Sequence, residues 1–117
     1  MNRDGERGIV VPGSDVLDEV LAGFGGQPNV VRGKMFGKHC LVADGKVIAV
    51  LFEGDVVFKL PGEAHAEALQ LEGVHLWDPR GTGHPMREWV QVPAVHSSSY
   101  ARFARAAYDY VASSAEG

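Results

Sequence analysis

Residues 30–61 constrain the fold most strongly, because short apolar runs alternate there with turn dipeptides. Short runs rich in Val, Ile and Phe, bounded by Gly and Asp, are typical of β-strands. The strongest turn signal is Asp44-Gly45, since a two-residue type I′ hairpin turn requires positive φ at both central positions. The segment therefore predicts an antiparallel β-meander in which consecutive strands pair as hairpins.

The strands of this meander are expected to differ in how deeply they are buried. The run at 47–52 is apolar at every position, so we expect a central strand that is covered on both faces. Gly33 interrupts the first strand and indicates a bulge or a close backbone approach. The four strands are predicted at 30–36, 39–43, 47–52 and 56–60, with turns at 37–38, 44–45 and 53–55.

Helical patterns flank the meander. A first helix should begin at Ser14 or Asp15, which are good N-cap residues, and end before Gly25-Gly26. The remaining elements are predicted as a helix at 62–71, strands at 74–77 and 88–92 around a loop at 78–84, and a helix after 97–99. The order α-β-β-β-β-α-β-β-α predicts an α+β domain, with about six antiparallel strands and the three helices packed on the sheet.

The length of 117 residues fits one domain with its own core. We expect a flexible N-terminal segment at 1–13, a single domain at 14–113 and a tail at 114–117. No apolar run approaches the ~20 residues of a membrane-spanning helix, and the N-terminus lacks the apolar stretch of a signal peptide. One Cys permits no intrachain disulfide, so we expect a cytoplasmic protein without membrane contact.

The charge balance disfavours direct nucleic-acid binding. The net charge is −4, whereas nucleic-acid affinity depends mainly on neutralising phosphates with Lys and Arg. Arg32, Lys34 and Lys38 nevertheless stand without an acidic residue between positions 30 and 42. They fit either solvated residues of an edge strand and its turn, where Lys blocks edge-to-edge pairing, or a local anion-binding patch.

No nucleotide-binding motif is complete. Gly37-Lys38 is followed by His39 rather than by the Ser or Thr of a P-loop. The Gly-Thr-Gly sequence at 81–83 lacks the third Gly of a dinucleotide fingerprint and lies between strands rather than before a helix. These sequences therefore predict no cofactor.

Catalytic and metal-binding patterns are also incomplete. Cys40 follows His39 directly, but adjacent strand residues point to opposite faces, so Cys40 is predicted to be a buried core residue. The five His residues are scattered without close ligand spacing. We therefore assign no catalytic residue and no metal ligand.

The candidate binding residues lie late in the chain. Trp77 and Trp89 fit either core aromatics or the wall of a cleft. If the loop at 78–84 folds over such a cleft, its basic side chains would converge with Lys59 and suit an anionic small ligand or an acidic peptide. The complete candidate set is Lys34, Lys59, Trp77, Arg80, His84, Arg87 and Trp89.

Several short sequences together carry a family resemblance that extends over about residues 16–111. They are Met35-Phe36-Gly37, the hairpin Asp44-Gly45-Lys46, the run at 47–60 with Lys59 near its end, the residues Met86, Trp89, Val90 and Pro93, and a closing helix rich in Ala and Tyr. On these features the chain resembles the TfoX (Sxy) N-terminal domain family, whose fold group includes the MmcQ/YjbR-like proteins.

The resemblance implies a fold more firmly than an activity. Longer relatives look like regulators of competence genes that act with a transcription factor and carry a second, C-terminal helical domain, before which this chain is expected to end. We therefore expect a non-enzymatic binding or regulatory module, monomeric or homodimeric, that contacts a protein or a small ligand. The alternative is an anion-binding protein or an enzyme that uses Lys59, Arg80 and His84, and direct DNA binding is the third hypothesis.

Overall fold

A computed structural model describes residues 14–25 and 27–114. The N-terminal segment 1–13, predicted to be flexible, and most of the predicted tail 114–117 lie outside the described residues. The helices are α1 (Ser14–Ala22), α2 (Gly62–Leu69) and α3 (Tyr100–Ser114), and a 3-10 helix (Ala94–Ser99) precedes α3. The strands are β1 (Val30–Met35), β2 (Lys38–Ala43), β3 (Lys46–Phe52), β4 (Asp55–Lys59), β5 (His75–Trp77) and β6 (Met86–Val92). The predicted α+β class and the order of helices and strands are confirmed.

The six strands form one antiparallel sheet in the spatial order β1-β2-β3-β4-β6-β5. The meander holds from β1 to β4, but β6 rather than β5 then pairs with β4. Val90 and Val92 of β6 are both fully buried, so this strand stabilises the core best from an interior position. The three-residue β5 forms the edge, where a short strand offers little backbone for unwanted pairing.

Each hairpin between β1 and β4 turns through two residues with positive φ, namely Phe36-Gly37, Asp44-Gly45 and Glu53-Gly54. The predicted Asp44-Gly45 turn is confirmed. The first turn is not at Gly37-Lys38 as predicted, because Lys38 belongs to β2 and Phe36 occupies the first turn position with φ 52°.

Gly33 marks a close approach rather than a bulge. A Cβ atom at this position would lie 3.1 Å from Cγ2 of Val42, which is closer than side chains normally pack. The irregularity in this part of the sheet lies between β2 and β3, where the pairing shifts between Leu41 and Val42. Ile48 is the extra residue there, and both it and Ala49 are fully buried in the core.

All three α-helices contribute buried side chains to one core on one face of the sheet, which includes Leu17, Ala68 and Phe103. α3 packs across β3 and β4, and the Phe103 ring lies 6.0 Å from that of Phe58, measured between centroids. Tyr100 is also buried in this core, and its hydroxyl donates a hydrogen bond to the Val92 carbonyl at 2.8 Å. The hydroxyl is thereby satisfied, as a buried polar group requires.

We expect Tyr100→Phe to lower the free energy of unfolding by about 1–2 kcal/mol, because the Val92 carbonyl loses this donor while the ring still packs. Urea unfolding at neutral pH measures the change. A variant as stable as the parent would show that the hydroxyl contributes nothing.

The same variant should also change how the free energy of unfolding depends on pH above about 10. Burial, together with the negative charge of Asp55, raises the pKa of Tyr100 to about 12, whereas an unfolded tyrosine titrates near 10. The unfolded chain therefore releases this proton first, and stability falls as the pH rises from about 10 towards 12. Tyr100→Phe should lose less stability over that interval than the parent, and equal losses would contradict the assignment.

Candidate functional site

The second face of the sheet carries a smaller apolar cluster to which the described helices contribute no residue. Its fully buried members are Cys40, Val50 and Val57, and Trp77 is only 3% exposed. Large side chains from the strands themselves, including Phe52 and Trp89, pack against the cluster. This face, called the open face below, is therefore covered by its own aromatic side chains.

Cys40 lies in this cluster, as predicted for a buried core residue, and burial raises the pKa of its thiol. His39 lies elsewhere, with Nδ1 at 3.3 Å from Nη2 of Arg32, whose guanidinium also pairs with Asp18 of α1. The structure therefore separates Cys40 from His39 as strand alternation requires.

A cavity of about 840 Å³ opens on this face, and it is called the cleft below. One wall comes from the β1–β2 hairpin through Met35, Phe36 and Lys38, and the opposite wall comes from the loop between β5 and β6. The apolar wall between them includes Trp77 and Trp89. The volume lies within the range of about 300–1,000 Å³ that is usual for sites of small ligands.

The two tryptophans belong to a chain of ring contacts. The centroids of Trp77 and Trp89 are 5.9 Å apart with the ring planes inclined at 59°, and Phe52 meets Trp77 edge-on at 5.5 Å. The indole Nε1 of Trp77 is buried and has no hydrogen-bond acceptor among the described residues. Leaving a buried N–H group without an acceptor destabilises the folded state by roughly 1–3 kcal/mol, and such groups are rare in native proteins.

The loop wall is shaped by Asp78. Its carboxylate accepts hydrogen bonds from the backbone N–H groups of Thr82 at 3.3 Å and Gly83 at 2.9 Å. These bonds fold the loop back on itself, and the loop presents Arg80 and His84 to the cleft. The negative charge of Asp78 is thus turned towards backbone donors of its own loop.

Basic groups dominate the charged part of the cleft. Arg80 and Lys38 lie on opposite walls, and the Lys38 ammonium is 5.8 Å from the centroid of the Phe52 ring. Asp78 is the acidic residue among the lining side chains. The cleft therefore combines aromatic surface with a positive rim in a protein whose net charge is −4.

Phe36 is the most unusual residue of the lining. Its side chain is 90% exposed, and its backbone has φ 52°, which is strained for a bulky residue. The equivalent positions of the other two turns carry Asp44 and Glu53. The turn places the Phe36 ring outside the sheet, so the ring is not an apolar anchor of the core.

The structure brings together four of the seven predicted binding residues, since Trp77, Arg80, His84 and Trp89 all line the cleft. Lys34 and Arg87 do not line it. Lys34 directly precedes Met35, which lines the cleft, so strand alternation turns the Lys34 side chain towards the helix-covered face. Arg87 is exposed and lies between Met86 and Trp89, where the pairing of β5 with β6 is irregular.

Lys59 does not line the cleft either, so the predicted convergence of Lys59 with Arg80 and His84 is not present. Its ammonium lies 3.8 Å from a carboxylate oxygen of Glu88 and 5.9 Å from the Trp89 ring centroid. The hydroxyl of Tyr110 donates to the same carboxylate at 2.7 Å, which raises the pKa of Tyr110. Lys59 therefore belongs to a surface cluster behind Trp89.

The predicted candidate set lacks three lining residues of the hairpin wall, namely Met35, Phe36 and Lys38, although Lys38 was considered as part of a possible anion-binding patch. A signal was present for Phe36, because an aromatic residue before Gly in a two-residue turn departs from the usual Asn, Asp or Gly. The approach of this hairpin to the loop after β5 depends on long-range packing, for which the sequence carried no signal.

The fold and the cleft define an α+β domain with one helix-covered face and one open, aromatic face. Residues 19–111 match the family model of the TfoX N-terminal domain. The match covers most of the chain, which therefore belongs to the TfoX N-terminal domain family, and the predicted resemblance is confirmed. No curated protein and no solved structure matches the chain significantly.

Two further observations concern membranes and metals. Within residues 14–25 and 27–114, no helix has the length and apolar character needed to cross a membrane. The same residues contain no group of three or more His, Cys, Asp or Glu side chains arranged to hold a metal ion.

We expect Phe36→Asn to preserve or raise stability, by up to about 1 kcal/mol, because Asn adopts positive φ more readily and little of the ring is buried. Glu53→Asn is the matched control, since it relieves the same turn strain outside the cleft lining. Thermal and urea unfolding measure both variants. A marked loss of stability in Phe36→Asn alone would show that the ring contributes to folding.

Proposed function

We propose that this protein is a non-enzymatic ligand-binding domain whose site is the cleft, and that it binds a small anionic molecule with an apolar body. The observation that carries the proposal is the combination of aromatic walls and basic rim in one cavity of ligand size. Sites of small ligands are mostly apolar and use a few placed polar groups to fix orientation.

The charges of the cleft residues favour an anionic ligand. Arg80 offers a planar fork of N–H donors that matches a carboxylate or phosphate, and Lys38 adds a point charge on the opposite wall. The acidic Asp78 is already turned towards the loop backbone through Thr82 and Gly83. A ligand anion between these walls would therefore meet a positive local environment.

The burial of Cys40 and the hydrogen bonds of Asp78 favour a binding function over a catalytic one. Cys40 lies buried in the cluster of the open face, and its pKa is raised by burial, whereas a catalytic thiol needs a lowered pKa. The Asp78 carboxylate is engaged by two backbone donors instead of facing a partner acid or base. The free, buried thiol also supports a reducing, cytoplasmic setting.

A partner protein that inserts an acidic side chain is the second candidate. It is favoured by the exposed Phe36 at the mouth of the cleft, together with Met86, which is 42% exposed. Aromatic residues and Met are enriched in protein interfaces. A regulatory role, as the longer relatives suggest, is compatible with either occupant.

We expect Arg80→Gln to weaken binding of anions by roughly tenfold or more, because one charge-assisted hydrogen bond contributes about 1.5–3 kcal/mol. Lys46→Gln is the control, since it removes the same charge from an exposed position outside the cleft lining. Affinities are measured by calorimetry with a panel of carboxylates and phosphates that carry apolar groups, such as hexanoate, benzoate and phenyl phosphate, at fixed ionic strength.

The two candidates give different results in this experiment. Binding that depends on Arg80 but not on Lys46 supports the small-ligand proposal. No binding of any anion in the panel would contradict it and leave the protein partner as the better candidate. An equal loss in both variants would mean that anions respond only to net charge.

A further inference from the structure

The strain at Phe36 has no explanation within the described fold. The residue combines an unfavourable positive φ with a ring that is 90% exposed, so neither the turn nor the core gains from it. Asn or Asp would make the same turn with less strain. Glu53 has a similar φ but is a polar residue suited to an exposed turn, whereas at Phe36 the strain coincides with an exposed aromatic ring, which points to a functional role for the side chain.

The position of the ring indicates that function. Phe36 lies on one wall of the cleft, while Trp77 and Trp89 form the apolar wall beside the loop. The tryptophan rings already contact each other at 5.9 Å, whereas Phe36 takes part in no ring pair among the described residues. An aromatic surface is thus available on each side of the cavity.

We propose that the ligand is an aromatic acid, whose flat ring lies between Phe36 and the tryptophan wall while its carboxylate or phosphate meets Arg80 and Lys38. This inference rests on the proposed function and narrows its ligand class. Phe36 determines specificity for a flat ring, because aromatic pairs attract each other beyond their apolar area. A saturated ring of the same size and charge would fill the cavity without this attraction.

The experiment compares 2-naphthoate with decahydro-2-naphthoate, which have the same carbon skeleton and the same charge. Binding is followed by the indole N–H signals in ¹H–¹⁵N correlation spectra of the labelled protein. The chain has only two Trp residues, and both line the cleft, so both signals report on this site. We expect 2-naphthoate to bind more tightly by roughly fivefold or more.

The variants then test Phe36 itself. Phe36→Asn should remove the preference for 2-naphthoate, and Phe36→Leu, which keeps apolar bulk but not the ring, should also remove most of it. Glu53→Asn relieves the same kind of turn strain and should keep the preference. A preference that survives in both Phe36 variants would overturn the assignment of this residue.

The remaining outcomes separate the inference from the proposed function. Equal binding of the two acids would overturn the preference for an aromatic ligand, while anion binding in the cleft would stand. If neither acid nor any anion of the panel moves the indole signals or binds in calorimetry, both the inference and the proposed function fail.

Discussion

One-sided coverage of the sheet is the constraint on which the rest of the structure depends. The α-helices bury their apolar side chains against one face, where Tyr100, Phe103 and Phe58 form the centre of the core. The other face must then exclude water from Cys40, Val50 and Val57, and no helix within residues 14–25 and 27–114 contributes to the cluster there. Large aromatic side chains from the strands do so, and the space that they leave between the hairpin and the loop is the cleft.

The order of helices and strands could be predicted because it depends on local signals. The alternation of apolar runs with Asp44-Gly45 and its neighbouring turns defines the hairpins, while Gly23 directly follows α1 and Pro93 directly follows β6. The position of β6 beside β4 could not be predicted in this way. It depends on Val90 and Val92 packing against residues distant in the sequence, and no local pattern reports such pairing.

The part of the site formed by tryptophans and basic loop residues could be predicted, because these residue types are common in ligand-binding sites. Trp77, Trp89, Arg80 and His84 were identified from aromatic strands around a basic loop, and they do line one cavity. Lys59 was misplaced because this half-buried Lys has local partners, namely Glu88 and the Trp89 ring. The hairpin wall was missed because its approach to the loop depends on contacts between residues that are distant in the sequence.

The most direct test of the cleft as a ligand site is a crystal structure of the protein grown with 2-naphthoate. We predict electron density for the acid between Phe36 and the tryptophan wall, with its carboxylate within hydrogen-bond distance of Arg80. Density for the acid only elsewhere on the surface, or an empty cleft with the Phe36 ring folded into it, would contradict the assignment.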